Sequence, residues 1–396
     1  MTNTRVVLKA RRALPFFSMH PWVYAGAIES VDGKPKDGDV VDLIAHEGNF
    51  VARGLYNSHS KIRVRLYTWS EEVALDADFF RRQLECAIRL RRDVLRLMGP
   101  RRACRLVFSE ADGLSGLTVE VYDRWLVVQF TSLALGKRRE LLADLLVELL
   151  KPEGIYLRTE RGIGLLEGLE LQDGPLRGDV PTTPIVIEEN GLQIQVSLTE
   201  GQKTGYYLDQ RDNRQAVANM AVGRRMLDAF CYSGGFGLHA ARAGAASVLG
   251  VDASEAALQL AHANAELNGL ANITFEKADV FDRLDQLVAA EERFGVIVLD
   301  PPKFARTKSA VEEALRGYRR LVLQSLRLLE SDGILALCCC SGLITRDMLH
   351  ELLAMAATQA RRPLQILDSR GAAADHPVSV ACAETSYLKC IVCRVA

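Results

Sequence analysis

Two segments carry side chains that could perform covalent chemistry on a ligand, and each ends an apolar, strand-like run. In Val298-Leu-Asp300-Pro301-Pro302-Lys303-Phe304 a carboxylate is followed by two prolines. Both prolines fix φ and remove a backbone donor, so the turn is rigid. A purely structural turn would not need this combination of acid, proline pair and aromatic, which suits the binding of a planar target. Leu337-Cys338-Cys339-Cys340-Ser341-Gly342 places three thiols in a row. They cannot all be nucleophiles: alternation along a strand buries some of them as inert filling. Cys340, next to the Ser-Gly loop, is the one positioned to face a pocket.

Three further segments suit a nucleoside-bearing ligand. In Leu227-Asp228-Ala-Phe230-Cys-Tyr-Ser-Gly234-Gly235-Phe-Gly237 a glycine loop opens a helix, which lets backbone approach a ligand closely. Gly235-x-Gly237-x-x-Ala240, with Asp252 downstream, also satisfies a dinucleotide fingerprint, so a nicotinamide enzyme has to be weighed. Asp228 argues against it, because a carboxylate beside the loop suits a cationic or amine-bearing group, such as the methionine end of S-adenosylmethionine, better than a pyrophosphate. Asp252 ends the next run, where an acid can accept both ribose hydroxyls. Asp279, in Lys277-Ala-Asp279-Val-Phe281, could take an adenine amino group. Singly, each aspartate reads equally well as a helix cap or loop residue; their order at successive strand ends gives them weight.

The elements that must hold these residues follow from the pattern. From about Ile185 strands and helices alternate, which implies βαβ units, a parallel sheet and a ligand beyond the strands' carboxyl ends. Expected strands are 225–230, 247–252, 273–277, 296–300, 334–339, 364–369 and 386–395, with helices over 237–243, 254–267, 311–329 and 346–360. Residues 1–75 read as a small β domain with strands at 40–44, 50–55 and 62–69. In it Ile62-Arg63-Val-Arg65-Leu-Tyr alternates with period two and sets both arginines on one face. Residues 76–184 read as a central α+β domain, with helices over 76–97 and 138–150 and strands at 117–122 and 125–131. The Gly-, Pro- and Asp-rich stretch 171–184 reads as a linker to the α/β domain, 185–396.

Composition bounds the rest. Over 396 residues, 48% hydrophobic and 25% charged side chains exclude disorder and low complexity, and no apolar run is long enough for a bilayer span. Nine unpatterned cysteines and a polar start suit a cytosolic, reduced protein. Cys390-x-x-Cys393 lies in an apolar run with no second pair, so it reads as core, and no metal site is expected. Residues 1–105 hold 19 Lys and Arg against 12 Asp and Glu, although the whole chain is near neutral. This basic front suggests a polyanionic partner. Arg89, Arg91, Arg92 and Arg96 are set aside as partly a solvated helix face.

Asp300-Pro-Pro-Lys-Phe304 and Cys340-Ser-Gly342 resemble the RNA (cytosine-5)-methyltransferases, and most closely the ribosomal RNA large subunit methyltransferase I family, which modifies 23S ribosomal RNA. Gln202-Lys-Thr-Gly-Tyr-Tyr-Leu-Asp-Gln210-Arg-Asp-Asn-Arg214 is similar to that family's long signature. His20-Pro-Trp22-Val-Tyr24 resembles its N-terminal PUA domain, and Ala374-Asp-His-Pro377 its C-terminal segment. The resemblance implies a PUA domain, a central α+β domain and a class I, Rossmann-like methyltransferase domain that uses S-adenosylmethionine. Carried over by position, Asp228, Phe230, Gly234, Gly235, Asp252, Asp279, Asp300 and Gln210 would line the cofactor. Cys340 would be the nucleophile with Asp300 as its acid, and Lys303, Phe304, Arg63 and Tyr24 would touch RNA, with Trp22 equally a core residue. Many relatives carry a second cysteine where this chain has Lys303, so product release must be served differently. A uracil-5 or guanine-N2 enzyme, a non-catalytic assembly factor, and a homodimer as well as a monomer remain open at this point.

Overall fold

The computed structural model describes residues 4–199 and 206–396; Gln202–Gly205 of the signature lie outside the described residues. The chain divides into two compact units, one made of residues 1–185, 196–208 and 374–385, the other of 186–195, 209–373 and 386–396. Among the described residues no helix is long and apolar enough to cross a membrane.

In the first unit a six-stranded sheet contains the expected strands Val40–Ile44, Phe50–Tyr56 and Ile62–Thr68, with Thr4–Leu8, Trp22–Tyr24 and Ile28–Val31 added. A second, five-stranded sheet contains Leu117–Tyr122 and Trp125–Phe130 at its centre. Its edge strand, Gly174–Gly178, occupies the stretch read as a linker and pairs antiparallel with Gly154–Arg158. A Gly- and Pro-rich edge strand is permissible because one side of its backbone needs no partner, and composition alone hides it.

Arg91 corrects the reading of a solvated helix face. The helix Ala77–Arg89 runs into a wider turn at Leu90–Val94, where Leu95 N–H donates to the Leu90 carbonyl. That widening rotates the sequence against the regular 3.6-residue period and carries Arg91 inward. Its side chain is 0% exposed and pairs with both oxygens of Asp112 at 2.5 and 2.9 Å. It also donates to the carbonyls of Arg105 and Asp375 at 2.9 and 2.8 Å. Asp375 in turn accepts from Arg105 N–H, and His376 packs on Phe108, so Ala374-Asp-His-Pro377 acts as a clamp within this unit.

The second unit is built on a seven-stranded sheet, labelled β1 (Arg225–Ala229), β2 (Ser247–Asp252), β3 (Ile273–Lys277), β4 (Phe294–Leu299), β5 (Leu329–Cys339), β6 (Leu364–Arg370) and β7 (Lys389–Val395). Its order is β3-β2-β1-β4-β5-β7-β6. The pairs from β3 through β5 are parallel, as expected, but β7 runs antiparallel to both neighbours. The helices are α1 (Arg211–Met220), α2 (Gly235–Ala243), α3 (Glu255–Leu267), α4 (Val280–Ala289), α5 (Val311–Leu328) and α6 (Arg346–Ala360). Ile297, Leu299, Leu335 and Leu337 of the central strands bury against Tyr318, Leu321 and Val322 of α5. Strand–helix alternation begins at α1 rather than at Ile185, because Ile185–Glu189 and Leu192–Val196 form a two-stranded sheet around Asn190-Gly191. Both residues of that turn have positive φ, which matches a tight hairpin.

Removing one member of a buried, hydrogen-bonded ion pair leaves the other charge uncompensated. Arg91→Met is therefore expected to lower unfolding stability by about 3–5 kcal/mol in urea titrations, with part of the loss recovered when Asp112→Leu is added.

Candidate active site

β1, β2, β4 and β5 bring most of the chemistry-bearing residues to one edge of the second unit. Asp228, on β1, is 1% exposed. Its Oδ2 accepts the Gly237 N–H of α2 at 2.7 Å, while Oδ1 is buried with no hydrogen-bond partner among the described residues. Burial pushes this carboxyl up to about 7; the Gly237 N–H and Arg214 oppose the rise, and Asp300 and Asp252 add to it. A buried acid with one unmatched oxygen fits a cation, which the ammonium and sulfonium of S-adenosylmethionine would supply.

The loop after β1 is strained where such a ligand would approach. Phe230 and Tyr232 both adopt positive φ, 63° and 51°, which non-glycine residues rarely do. Gly234 has φ +83°, and a Cβ on Gly235 would lie 2.6 Å from Nε of Arg214. Arg214 is held in place by Glu189, whose Oε1 lies 2.7 Å from its Nη1. The loop therefore needs both glycines, one for its backbone conformation and one for the arginine beneath it.

Asp252 ends β2 and accepts from Tyr232 N–H at 2.9 Å and Ser254 N–H at 2.8 Å. These bonds fix a half-buried carboxylate at the strand end. Asp279 is exposed and caps α4, its Oδ1 accepting from Phe281 and Asp282 N–H. The capping alternative raised for this residue is thus realised.

Asp300 follows β4 and accepts from Gln210 Nε2 at 3.1 Å. Gln210 Oε1 accepts from Asn213 Nδ2 at 2.7 Å, and Asn213 Oδ1 accepts from Arg370 Nε at 3.0 Å. Gln210 and Asn213 are buried, so this chain of hydrogen bonds fixes the orientation of Asp300. Gln210, expected on the cofactor, is in contact with the Asp300 carboxylate. Asn213, Arg370 and the Asp209–Tyr387 hydrogen bond were not singled out in the sequence, although the polar residues of the 202–214 signature were the available signal.

The three cysteines differ in burial. Cys338 and Cys339 are fully buried in β5, while Cys340, just past it, is half-buried. A hydrogen bond with Cys390 and burial push the Cys338 thiol well up, so it is inert. Cys390 and Cys393 are both core residues of β7. Burial raises the Tyr318 hydroxyl of α5, and Cys339, Cys340 and Asp300 push it further in the same direction.

Among the residues expected on RNA, Lys303 and Tyr24 are exposed and Phe304 and Arg63 half-buried. Phe304 stacks at 5.1 Å on Tyr318 and at 6.3 Å on Phe281, which meets Phe230 at 6.4 Å. This aromatic ladder joins the glycine loop to the Asp-Pro-Pro turn. In the first unit, Arg63 is spent on the carbonyls of Asn57 and Ser58, and Trp22 donates to Glu110 at 2.9 Å. His20, Cys382 and Glu384 also meet there through hydrogen bonds to one carboxylate oxygen.

Residues 6–69 match the PUA-like domain model, and residues 176–371 match the S-adenosylmethionine-dependent methyltransferase model. The structure superposes on that of SMU.776, a methyltransferase solved with SAH, with TM-score 0.86 and 22% identity, each chain covered in full. A S-adenosylmethionine-dependent methyltransferase from Streptococcus mutans gives TM-score 0.85 at 21% identity, again over both full chains. These similarities establish the fold, an α/β methyltransferase domain with a PUA-like domain. Ribosomal RNA large subunit methyltransferase I of Shewanella denitrificans is 42% identical over 394 residues, 99% of each chain. Its counterpart in Aeromonas salmonicida is 42% identical over 377 residues, 95% of each chain. The nicotinamide reading of the glycine loop falls away. With its glycine loop, Asp-Pro-Pro turn and half-buried cysteine in place, the chain is an S-adenosylmethionine-dependent methyltransferase and belongs to the ribosomal RNA large subunit methyltransferase I family.

Proposed function

We propose that this methyltransferase modifies C5 of a cytosine in 23S ribosomal RNA through a covalent bond between Cys340 and C6 of the base. The observation that carries the reading is the convergence of one half-buried thiol, Cys340, and an oriented carboxylate, Asp300, at the ends of the adjacent strands β5 and β4. An N-methyltransferase needs the carboxylate and the prolines but not the thiol.

C5 of cytosine is too weak a nucleophile for direct methylation. The Cys340 thiolate adds to C6, and the electron pair of the C5–C6 double bond moves toward N3, where Asp300 donates a proton or hydrogen bond. When bound, S-adenosylmethionine supplies the methyl group that the enriched C5 attacks. A base then takes the C5 proton, the C6–S bond breaks with its electrons returning to sulfur, and Asp300 recovers its proton from N3. Gln210 holds the carboxylate at the correct angle throughout. Asp228 would face the cationic end of the cofactor, with Phe230, Gly234, Gly235 and Asp252 around its nucleoside part and Asp279 at the adenine. A base must leave its stack to enter this site, and exposed Lys303 and the Phe304 ring flank the entrance.

The first unit would hold the RNA backbone. Much of its basic excess is internally paired: Arg53 with Asp42, Arg65 with Glu110 and Glu167, Arg91 with Asp112, Arg105 with Glu120. Exposed Arg5, Lys9, Arg11 and Arg12 are left for phosphates, and Lys9 reaches the Gly26 carbonyl, close to exposed Tyr24.

The decisive experiment uses 23S ribosomal RNA containing 5-fluorocytosine with labelled S-adenosylmethionine. Fluorine blocks the last proton removal, so a complex that survives denaturation is expected, and it should vanish in Cys340→Ala. Transfer of label to unmodified RNA by Cys340→Ala would instead indicate an amino-group target, and a trap with fluorouracil alone would indicate uracil. RNA binding without turnover would support an assembly factor.

A second expectation follows from Asp228. A carboxyl raised to about 7 ionises fully only above neutrality, and a cationic ligand favours its ionised form. Affinity for S-adenosylmethionine should rise between about pH 6 and pH 8 with release of about one proton, as calorimetry in two buffers of different ionisation heat would measure. Asp228→Asn should flatten that dependence.

A further inference from the structure

Lys389 is a buried charge that the mechanism above does not use. It opens β7 and is 5% exposed. An ammonium has three N–H donors. Two of them meet carbonyls, that of Ser341 at 2.8 Å and that of Tyr387 at 3.1 Å. Among the described residues no carboxylate forms an ion pair with it. A buried cation without an anion is costly, and buried lysines without a counter-ion are uncommon. The register explains how it came to lie here: β7 runs antiparallel to β5, and Cys339 lies directly opposite Lys389. The residue that follows β5 is Cys340, and the carbonyl that Lys389 holds belongs to the residue after that. The lysine is therefore tied to the cysteine loop by backbone pairing on one side and by its own hydrogen bond on the other.

We propose that Lys389 is a positioning residue and counter-ion for Cys340: its ammonium stabilises the thiolate, and its bond to the Ser341 carbonyl holds the loop that presents the sulfur. The proposal rests on the reading of Cys340 as nucleophile. Only the S–H proton leaves, to water; nothing is oxidised and Lys389 keeps its three protons. The charges that act on Lys389 fit this arrangement. Burial lowers its pKa, the Cys339 and Cys340 thiolates would raise it, and Arg346 and Lys303 oppose them. Tyr318 is buried, with Cys339, Cys340 and Asp300 all acting on its hydroxyl, and Asp300 follows the neighbouring strand. Lys303 is exposed to solvent and Arg346 half-buried, whereas Lys389 is 5% exposed, so its charge is the least screened by water of the three. A thiol next to a lysine ammonium ionises below its free value of about 8.5.

The test is the pH dependence of Cys340 alkylation by iodoacetamide, followed by peptide mass spectrometry on the full-length protein so that exposed Cys86 is scored separately. In the unaltered protein the midpoint is expected below about 8.5. Lys389→Met and Lys389→Gln should each raise it by about one pH unit, cutting the alkylation rate at neutral pH about tenfold. Lys389→Arg, which restores the charge, should bring the midpoint back. A midpoint at or above the free value in the unaltered protein would overturn the proposal even if neither variant folds, and so would an unchanged midpoint in folded variants. This readout needs no RNA and no turnover. Methylation retained in Cys340→Ala would therefore discard the nucleophile while leaving the alkylation result to judge Lys389.

Discussion

Register is the constraint on which the second unit depends. Asp228 on β1 lies opposite Val298 on β4, Val298 opposite Ala336 on β5, and Ala336 opposite Val392 on β7. Because these pairings are in step, the strands β1, β4 and β5 reach their carboxyl ends together, and whatever follows each strand emerges at the same edge. The glycine loop, Asp300-Pro-Pro and Cys340 occupy those positions. A slip of one residue in any pair would turn alternate side chains to the other face and send the thiol into the core in place of Cys339. The fully apolar stretches Gly295–Leu299 and Ile334–Cys339 are buried on both faces and resist that slip through packing, on one face against α5 and α6, so the large core beneath the site is also what keeps the site aligned.

Much of this was legible in the sequence. All seven strands of the main sheet and four of its six helices could be read from periodicity, because β-branched runs alternating with amphipathic segments leave a strong pattern. Two helices, α1 and α4, escaped: α1 is rich in Arg, Asp, Asn and Gln and lacks an apolar stripe, and α4 was not assigned even though Asp279 before it reads equally well as a helix cap. The antiparallel course of β7 could not be read locally, since strand direction belongs to the pairing and not to the segment. Arg91 shows a different limit. Nothing in Arg89-Leu-Arg-Arg-Asp tells which guanidinium is buried; the wider turn decides it, and that turn is a product of tertiary packing.

Charge was the least transparent property. A regional excess of arginine invites a picture of a basic surface, yet Arg53, Arg65, Arg91 and Arg105 each sit against a carboxylate from elsewhere in the first unit. Arginine serves there as a rigid connector, its planar fork reaching several acceptors at once. Arg65, for instance, contacts Glu110, Ser115 and Glu167. A count of charges therefore measures internal bracing and external binding together, and only the pairing separates them.

The order of β7 and β6 bears on how the chain folds. β6 leaves the ribosome before β7, yet β7 lies between β6 and β5 in the finished sheet. Until β7 arrives, β6 has no neighbour to pair with, and β5 presents an open edge of apolar residues. Assembly of the sheet must therefore end with insertion of an inner strand rather than addition of an outer one. The segment that delivers it, 374–385, belongs to the first unit. A nascent chain consequently completes its reaction centre late, after the first unit has a partner for that segment, and an exposed β5 edge is the species that a chaperone would be expected to recognise.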